Sequence, residues 1–161
     1  MRTRLVHAAV ALVLLAAIGA GSAAAAQPSA KTARERQMKA VVHAWSNRLN
    51  AGDNKGLARL YRVPALIAQG PYEYRLVSRK QVALWYSSLP CSGKVVSISI
   101  HGRFATVVFL LADRGKTACD APGTLAAALF EIVNGKIVSW EQIPVPVKKA
   151  PAPKAPPGPV A

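Results

Sequence analysis

Acidic residues are scarce in this chain. It carries 7 Asp and Glu in 161 residues, against 21 Lys and Arg and 3 His. Chemistry that runs on paired carboxylates therefore has few groups to draw on. The 2 cysteines cannot make a Cys-rich metal site, and no His/Cys/Asp spacing matches one. No Gly-rich phosphate loop is present. After residue 26 no apolar run approaches the ~20 residues that span a bilayer. Metal-centred chemistry, phosphate-loop nucleotide binding and a helical membrane span in the mature chain thus have no basis in the sequence, and no cofactor is implied.

The ends differ from the middle. Arg2 and Arg4 precede an apolar run from Leu5 to Ile18, and Ser22-Ala23-Ala24-Ala25-Ala26 supplies small residues of the Ala-x-Ala type. That order is a secretory signal peptide over residues 1–26, with Gln27 as the expected mature start. The competing reading, an N-terminal membrane anchor, suffers from the shortness of the run. No Cys follows to accept a lipid. The expected location is secreted or extracytoplasmic, in the cell envelope. Residues 144–161 repeat Pro and Ala around Lys148, Lys149 and Lys154, and such a tail is expected to stay extended and disordered. Residues 27–143 are long enough for one domain.

The formal net charge is +14. Loss of Arg2 and Arg4 lowers it to +12, and the three tail lysines account for three more, leaving +9 on the domain. Nucleic acid is disfavoured as a partner, because the bases are scattered and a secreted protein rarely meets it. An anionic cell-envelope polymer or lipid headgroup suits the compartment better. A solvated basic surface with no partner is the plain alternative.

Cys91 and Cys119 are expected to form a disulfide, since an even count after a signal peptide favours a bridge over a metal site or nucleophile. Cys91 precedes a strand at Val95–Ile100, and Cys119 follows one at Phe104–Leu111. Antiparallel pairing across His101-Gly102-Arg103 brings their outer ends together. The bridge would close 28 positions, worth about 3–4 kcal/mol by chain entropy.

Met38, Val42, Trp45 and Leu49 recur on one helical face, which predicts a helix from about Ala33 to Asn50. Ala51-Gly52 ends it, and Asp53 caps a short second helix expected to reach Tyr61. Pro64 blocks continuation. Extended pieces follow near Ala65–Ala68 and Tyr72–Val77. Ser78 caps a third helix, Arg79 to Leu89, with Val82, Trp85 and Leu89 on its inner face. Val96, Ile98 and Ile100 alternate with polar residues, giving a strand with one apolar face. Phe104–Leu111 is apolar on both faces and reads as a central strand.

Two apolar runs meet at Asn134-Gly135, a strong hairpin signal. A two-residue type I′ turn would pair Phe130 with Ser139 and mix the faces. A type I turn with a Gly135 bulge would pair Phe130 with Val138 and Ala128 with Trp140. The second register gathers Ala128, Phe130, Ile132, Val138 and Trp140 on one face, and Glu131, Ser139 and Glu141 on the other. It is the expected one, with Phe130 and Trp140 facing the helices.

Helices first and an antiparallel sheet after make an α+β domain. The order of VVHAWSNRLNAGDNKGLARLY (Val41 to Tyr61) and a closing Phe-x-Ile-x-Asn-Gly-Lys-Ile hairpin resembles the nuclear-transport-factor-2-like superfamily, which includes SnoaL-type cyclases and ketosteroid isomerases. The resemblance covers about residues 36–143. It implies a cone-shaped fold, a curved antiparallel sheet wrapped around a long N-terminal helix, with an interior cavity. The isomerases use a helix Tyr and a protonated sheet Asp to hold an oxyanion, and an Asp after the second helix as base. The matching positions here hold Trp45, Ala128, and Gln69 or Gly70. All three functional groups are missing, which argues against isomerase chemistry. The seven acids, Glu35, Asp53, Glu73, Asp113, Asp120, Glu131 and Glu141, are expected at helix starts, in loops or on the outer face. His43 lies off the buried stripe and His101 at a turn, so neither suggests a site.

What remains is aromatic. Such residues at these spacings serve as plain core, or they line an apolar pocket for a small hydrophobic ligand. On the second reading the candidate ligand-binding residues are Trp45, Leu49, Tyr61, Trp85, Ala128, Phe130 and Trp140, with Tyr61 as the polar contact. No catalytic residue and no metal ligand are assigned. The expected function is a secreted, non-catalytic binding or interaction module. The alternatives are a small-molecule isomerase, cyclase or hydrolase of the same superfamily, and a basic envelope-associated protein. A homodimer is left open.

Overall fold

The computed structural model describes residues 29–147. The signal peptide expected over 1–26, and the tail from residue 148 on, lie outside the described residues. Residues 144–147 carry no regular structure.

Helix α1 (Ala30–Asn50) begins at Ser29, whose side chain accepts from the Thr32 N–H at 3.3 Å. Met38, Val42, Trp45 and Leu49 are buried along one stripe, and His43 is exposed. Gly52 turns the chain at φ 69°. Asp53 then caps α2 (Asn54–Ala58), accepting from the Gly56 N–H at 2.8 Å and pairing with Arg48 at 2.6 Å. The Gly56 hydrogen bond is the main cause of the lowered Asp53 pKa, with Arg48 adding to it.

Helix α2 stops short of Tyr61, against expectation. Tyr61 instead opens β1 (Tyr61–Gln69), which runs straight through Pro64. The strand tolerates proline because Pro64 sits where its ladders are interrupted. Pairing with β2 (Tyr72–Leu76) starts only at Ala65, and the register to the strand on its other side shifts between Tyr61 and Leu66. The Val63–Pro64 peptide is cis.

Helix α3 (Arg79–Ser87) is capped by Ser78, which accepts from the Gln81 N–H at 3.2 Å. It ends two residues earlier than expected. Its buried residues are Val82 and Tyr86, while Trp85 and Leu89 are half-buried. The inner face of α3 thus carries Tyr86 where the periodicity predicts Trp85.

Four strands follow: β3 (Cys91–His101), β4 (Phe104–Asp113), β5 (Leu125–Val133) and β6 (Lys136–Ile143). The sheet order is β2-β1-β6-β5-β4-β3, antiparallel throughout except for the parallel β1–β6 seam. The curved, open sheet and the N-terminal helix together make the α+β cone. In β3, Val96 is the extra residue of a bulge between Val95 and Ser97 and stands 57% exposed. The simple alternation read for Val96, Ile98 and Ile100 breaks there, and Val95 packs on the core in place of Val96.

The β5–β6 hairpin uses neither expected register along its whole length. Asn134 (φ 51°) and Gly135 (φ 70°) are both left-handed, a type I′ turn that pairs Val133 with Lys136 and Ile132 with Ile137. Val138 then bulges, so that Glu131 pairs with Ser139 and Phe130 with Trp140. The turn takes its preferred geometry and the bulge restores the phase. Ala128, Phe130, Ile132, Ile137 and Trp140 are buried, and Val138 is not. Glu141 is exposed. Glu131 is on the outer face with Ser139 and pairs with Arg103 at 2.9 Å.

The end of α1 is tied to β3. Asn50 Nδ2 donates to Gly93 O at 3.0 Å, the Gly93 N–H donates to Asn50 Oδ1 at 3.1 Å, and Ser46 Oγ donates to the same carbonyl at 3.3 Å. Glycine is required here by space, since a Cβ at position 93 would lie 2.8 Å from Leu110 O.

Candidate functional site

Near the C-terminal end of α1 the core opens into a cavity of about 260 Å³. Trp45 and Leu49 line it from α1, and Phe109, Ala128 and Trp140 from the sheet. β5 contributes small side chains here, Ala126, Ala127 and Ala128 in succession. Where Phe130 and Ile132 fill the space further along the same strand, the alanines leave it empty. Gln69 and Gln142 supply amide groups on neighbouring strands.

The mouth is formed by the start of β3 and by the loop between β4 and β5. Cys91 and Cys119 are joined in a disulfide with their Cα atoms 4.5 Å apart, and Cys91, Asp120 and Ala121 line the opening. Asp113 anchors this loop by accepting from the Cys119 N–H at 2.8 Å. Asp120 is exposed, and its Oδ1 lies 3.0 Å from Cys91 Sγ. Both sulfurs are bonded to each other, so the grouping of Cys91, Cys119 and Asp120 offers no thiolate to a metal.

Three of the seven candidate ligand-binding residues do not line the cavity. Tyr61 and Phe130 are fully buried behind its wall, and Trp85 packs against Trp140 with ring centroids 5.4 Å apart. The Tyr61 hydroxyl is committed to that of Tyr86, in a hydrogen bond closed to solvent. Burial raises both phenol pKa values above the ordinary range, and for Tyr61 the neighbouring Tyr86 adds to the shift. The Trp45 N–H is close enough to both hydroxyls to oppose the shift slightly, without a hydrogen bond to either. Trp45, Leu49, Ala128 and Trp140 do line the cavity. The indole N–H groups of Trp45 and Trp140 are buried without hydrogen-bond partners among the described residues.

Trp45, Gln69 and Ala128, the positions compared with isomerase groups, all converge on this one cavity. Gly70 is not in its wall and turns the β1–β2 connection at φ 57°. Among the described residues no Lys, Arg or His lines the cavity, and Asp120 is its single ionisable side chain outside the disulfide.

Sequence reasoning missed two residues that frame the site. Tyr86 was hidden because its neighbour Trp85 fitted the helical period as well. Arg114 was read as one of many scattered bases, yet it is 8% exposed. Its Nε donates to Leu49 O at 3.1 Å, its Nη1 to the carbonyls of Tyr86 and Leu89, and its Nη2 to Asn54 Oδ1. It thus caps the C-terminal ends of α1 and α3 at once, where helix carbonyls favour positive charge. Burial lowers its pKa.

No protein-family model matches the chain, and no curated relative matches it by sequence. Solved structures do match. The chain has the nuclear-transport-factor-2-like fold. A candidate polyketide cyclase from Sinorhizobium meliloti is similar over 66% of this chain and 98% of its own, at 14% identity and a TM-score of 0.54. A candidate ketosteroid isomerase from Kribbella flavida is similar over 73% of this chain and 92% of its own, at 17% identity and a TM-score of 0.53. A protein of ketosteroid isomerase-like fold from Catenulispora acidiphila, crystallised with trimethylamine, is similar over 64% of this chain and 83% of its own, at 15% identity and a TM-score of 0.50. These identities support the fold alone.

Proposed function

We propose that residues 27–143 form a secreted, non-catalytic module that binds a small, largely apolar ligand in the cavity beneath Trp45 and Trp140. One observation carries the reading: Trp45, Gln69 and Ala128 line one cavity and none brings a carboxylate or phenol to it. On the resemblance, these are the positions of the superfamily's proton-transfer groups, and here they hold apolar or neutral side chains. The disulfide fits an oxidising compartment and supports export. Trimethylamine in the Catenulispora acidiphila protein supports small-molecule binding as a use of this fold.

Saturable quenching of tryptophan fluorescence by a small aromatic probe such as 1-naphthol tests the reading. Ala128→Leu should fill the cavity, weaken binding at least tenfold and leave the melting temperature within a few degrees of the parent. Absence of saturable quenching would overturn it.

A second reading, a small-molecule enzyme, draws on Asp120, which brings one carboxylate to the mouth. Turnover of a ketosteroid, polyketide or epoxide substrate, lost in Asp120→Asn, would favour that reading over the first.

A further inference from the structure

The charge of the cavity runs against the charge of the chain. Lys and Arg outnumber Asp and Glu by 21 to 7, yet among the described residues no basic side chain lines the cavity and one carboxylate does. That carboxylate is not consumed by the fold. Asp113, at the end of β4, is spent on the Cys119 N–H, and Asp53 and Glu131 are spent on Arg48 and Arg103. Among the described residues Asp120 accepts from no N–H or O–H group and joins no salt bridge. Its Oδ1 lies against the disulfide sulfurs, which are not donors once oxidised. The nearby cation, Arg114, contributes nothing to the lining, since its guanidinium is directed at backbone carbonyls and Asn54.

We propose that the ligand is an organic cation with an apolar body, a small amine or quaternary ammonium compound, seated with its cationic group against Asp120 and its body against Trp45, Phe109 and Trp140. This deepens the ligand-binding reading and rests on it. An aromatic wall suits such a ligand, because a ring attracts a cation within about 6 Å of its centroid. The adjoining polar groups, Gln69 and Gln142, can hydrate or accept from an ammonium without adding charge. An anion would meet the Asp120 carboxylate with no basic group in the wall to offset it. Because Asp120 is exposed, its attraction is screened, and the expected preference is modest.

Three probes of similar bulk separate the possibilities: benzyltrimethylammonium, its uncharged isostere neopentylbenzene, and phenylacetate. Each is titrated against tryptophan fluorescence at 0.15 M and 0.5 M salt. The expected order is cation, then neutral, then anion, with the cation about three- to tenfold tighter than the neutral isostere at the lower salt. Asp120→Asn should erase that preference and leave the neutral probe's affinity unchanged, and high salt should act in the same direction. Equal binding of cation and isostere, or an unchanged preference in Asp120→Asn, would overturn the charge assignment while leaving the apolar pocket intact. Tighter binding of phenylacetate would also overturn it. Failure of all three probes would remove the pocket reading itself.

Discussion

At the hairpin end of the sheet, Met38, Val42, Phe130, Ile132 and Ile137 are each at most 3% exposed. At the disulfide end, the same helix and the same β5 enclose a cavity of about 260 Å³. The elements are shared, so the difference lies in the side chains. β5 changes from Ala126-Ala127-Ala128 to Phe130 and Ile132 along its length. α1 approaches the sheet closely at its C-terminal end, through the Asn50–Gly93 pair, and still no bulk from β5 meets it. Large side chains fill the interior at the hairpin end, and small ones leave a cavity between α1 and β5 at the disulfide end.

The contrast can be broken most strongly at Phe130. Phe130→Ala should cost about 3–5 kcal/mol in denaturant unfolding, as for a large aromatic removed from a tight core. A loss below 1 kcal/mol, roughly what a surface site gives, would show the hairpin end to be as loose as the other. The disulfide comes next. Thiol titration of unfolded, unreduced protein should find no reactive thiol, and Cys91→Ser with Cys119→Ser should cost about 3–4 kcal/mol from the 28-residue separation. Loss of the bridge should also loosen the mouth, seen as weaker probe binding.

The buried Tyr61–Tyr86 pair sharpens the comparison through pH. Both phenols have raised pKa values in the folded protein, while unfolded tyrosine loses its proton near about pH 10. Their contribution is fully present below pH 10 and falls as pH rises beyond it. The slope should approach about 1.4 kcal/mol per pH unit for each tyrosine until the folded protein titrates. Tyr86→Phe should flatten the alkaline limb of the stability curve; an unchanged limb would contradict the burial argument. The smallest effect is expected at Glu141, which is exposed on the outer face. Glu141→Ala should change stability by less than about 0.5 kcal/mol.

Periodic features were legible from sequence. The stripe of Met38, Val42, Trp45 and Leu49 set the buried face of α1, and Asn134-Gly135 marked the turn. The positions of Cys91 and Cys119 at neighbouring strand ends gave the bridge. Features set by long-range packing were not legible. The bulges at Val96 and Val138 shift the phase of a strand without any local composition change, because the partner strand decides where an extra residue fits. α3 spans too few turns for its periodicity to choose between Trp85 and Tyr86. At the site, Ala128 and Trp140 followed from face segregation. Asp120 reads as one of seven acids expected at helix starts, in loops or on the outer face, and nothing in the sequence says that its loop folds over the cavity mouth.

The parallel seam between β1 and β6 bears on how the chain reaches its folded state. Tyr61 pairs with Ile137, and the Ile137 N–H donates to Leu60 O at 3.0 Å. β4, β5 and β6 each pair with the strand before them, so β3 to β6 can assemble from near neighbours. β1 has β2 beside it but lacks its second partner until the last strand has been made. On a ribosome, the first helices and the β1–β2 ribbon must therefore wait with an unpaired edge while the rest of the domain emerges. Docking of β1 onto β6 is then the late event that closes the sheet around α1, so the cavity takes shape only after its most distant strands have met.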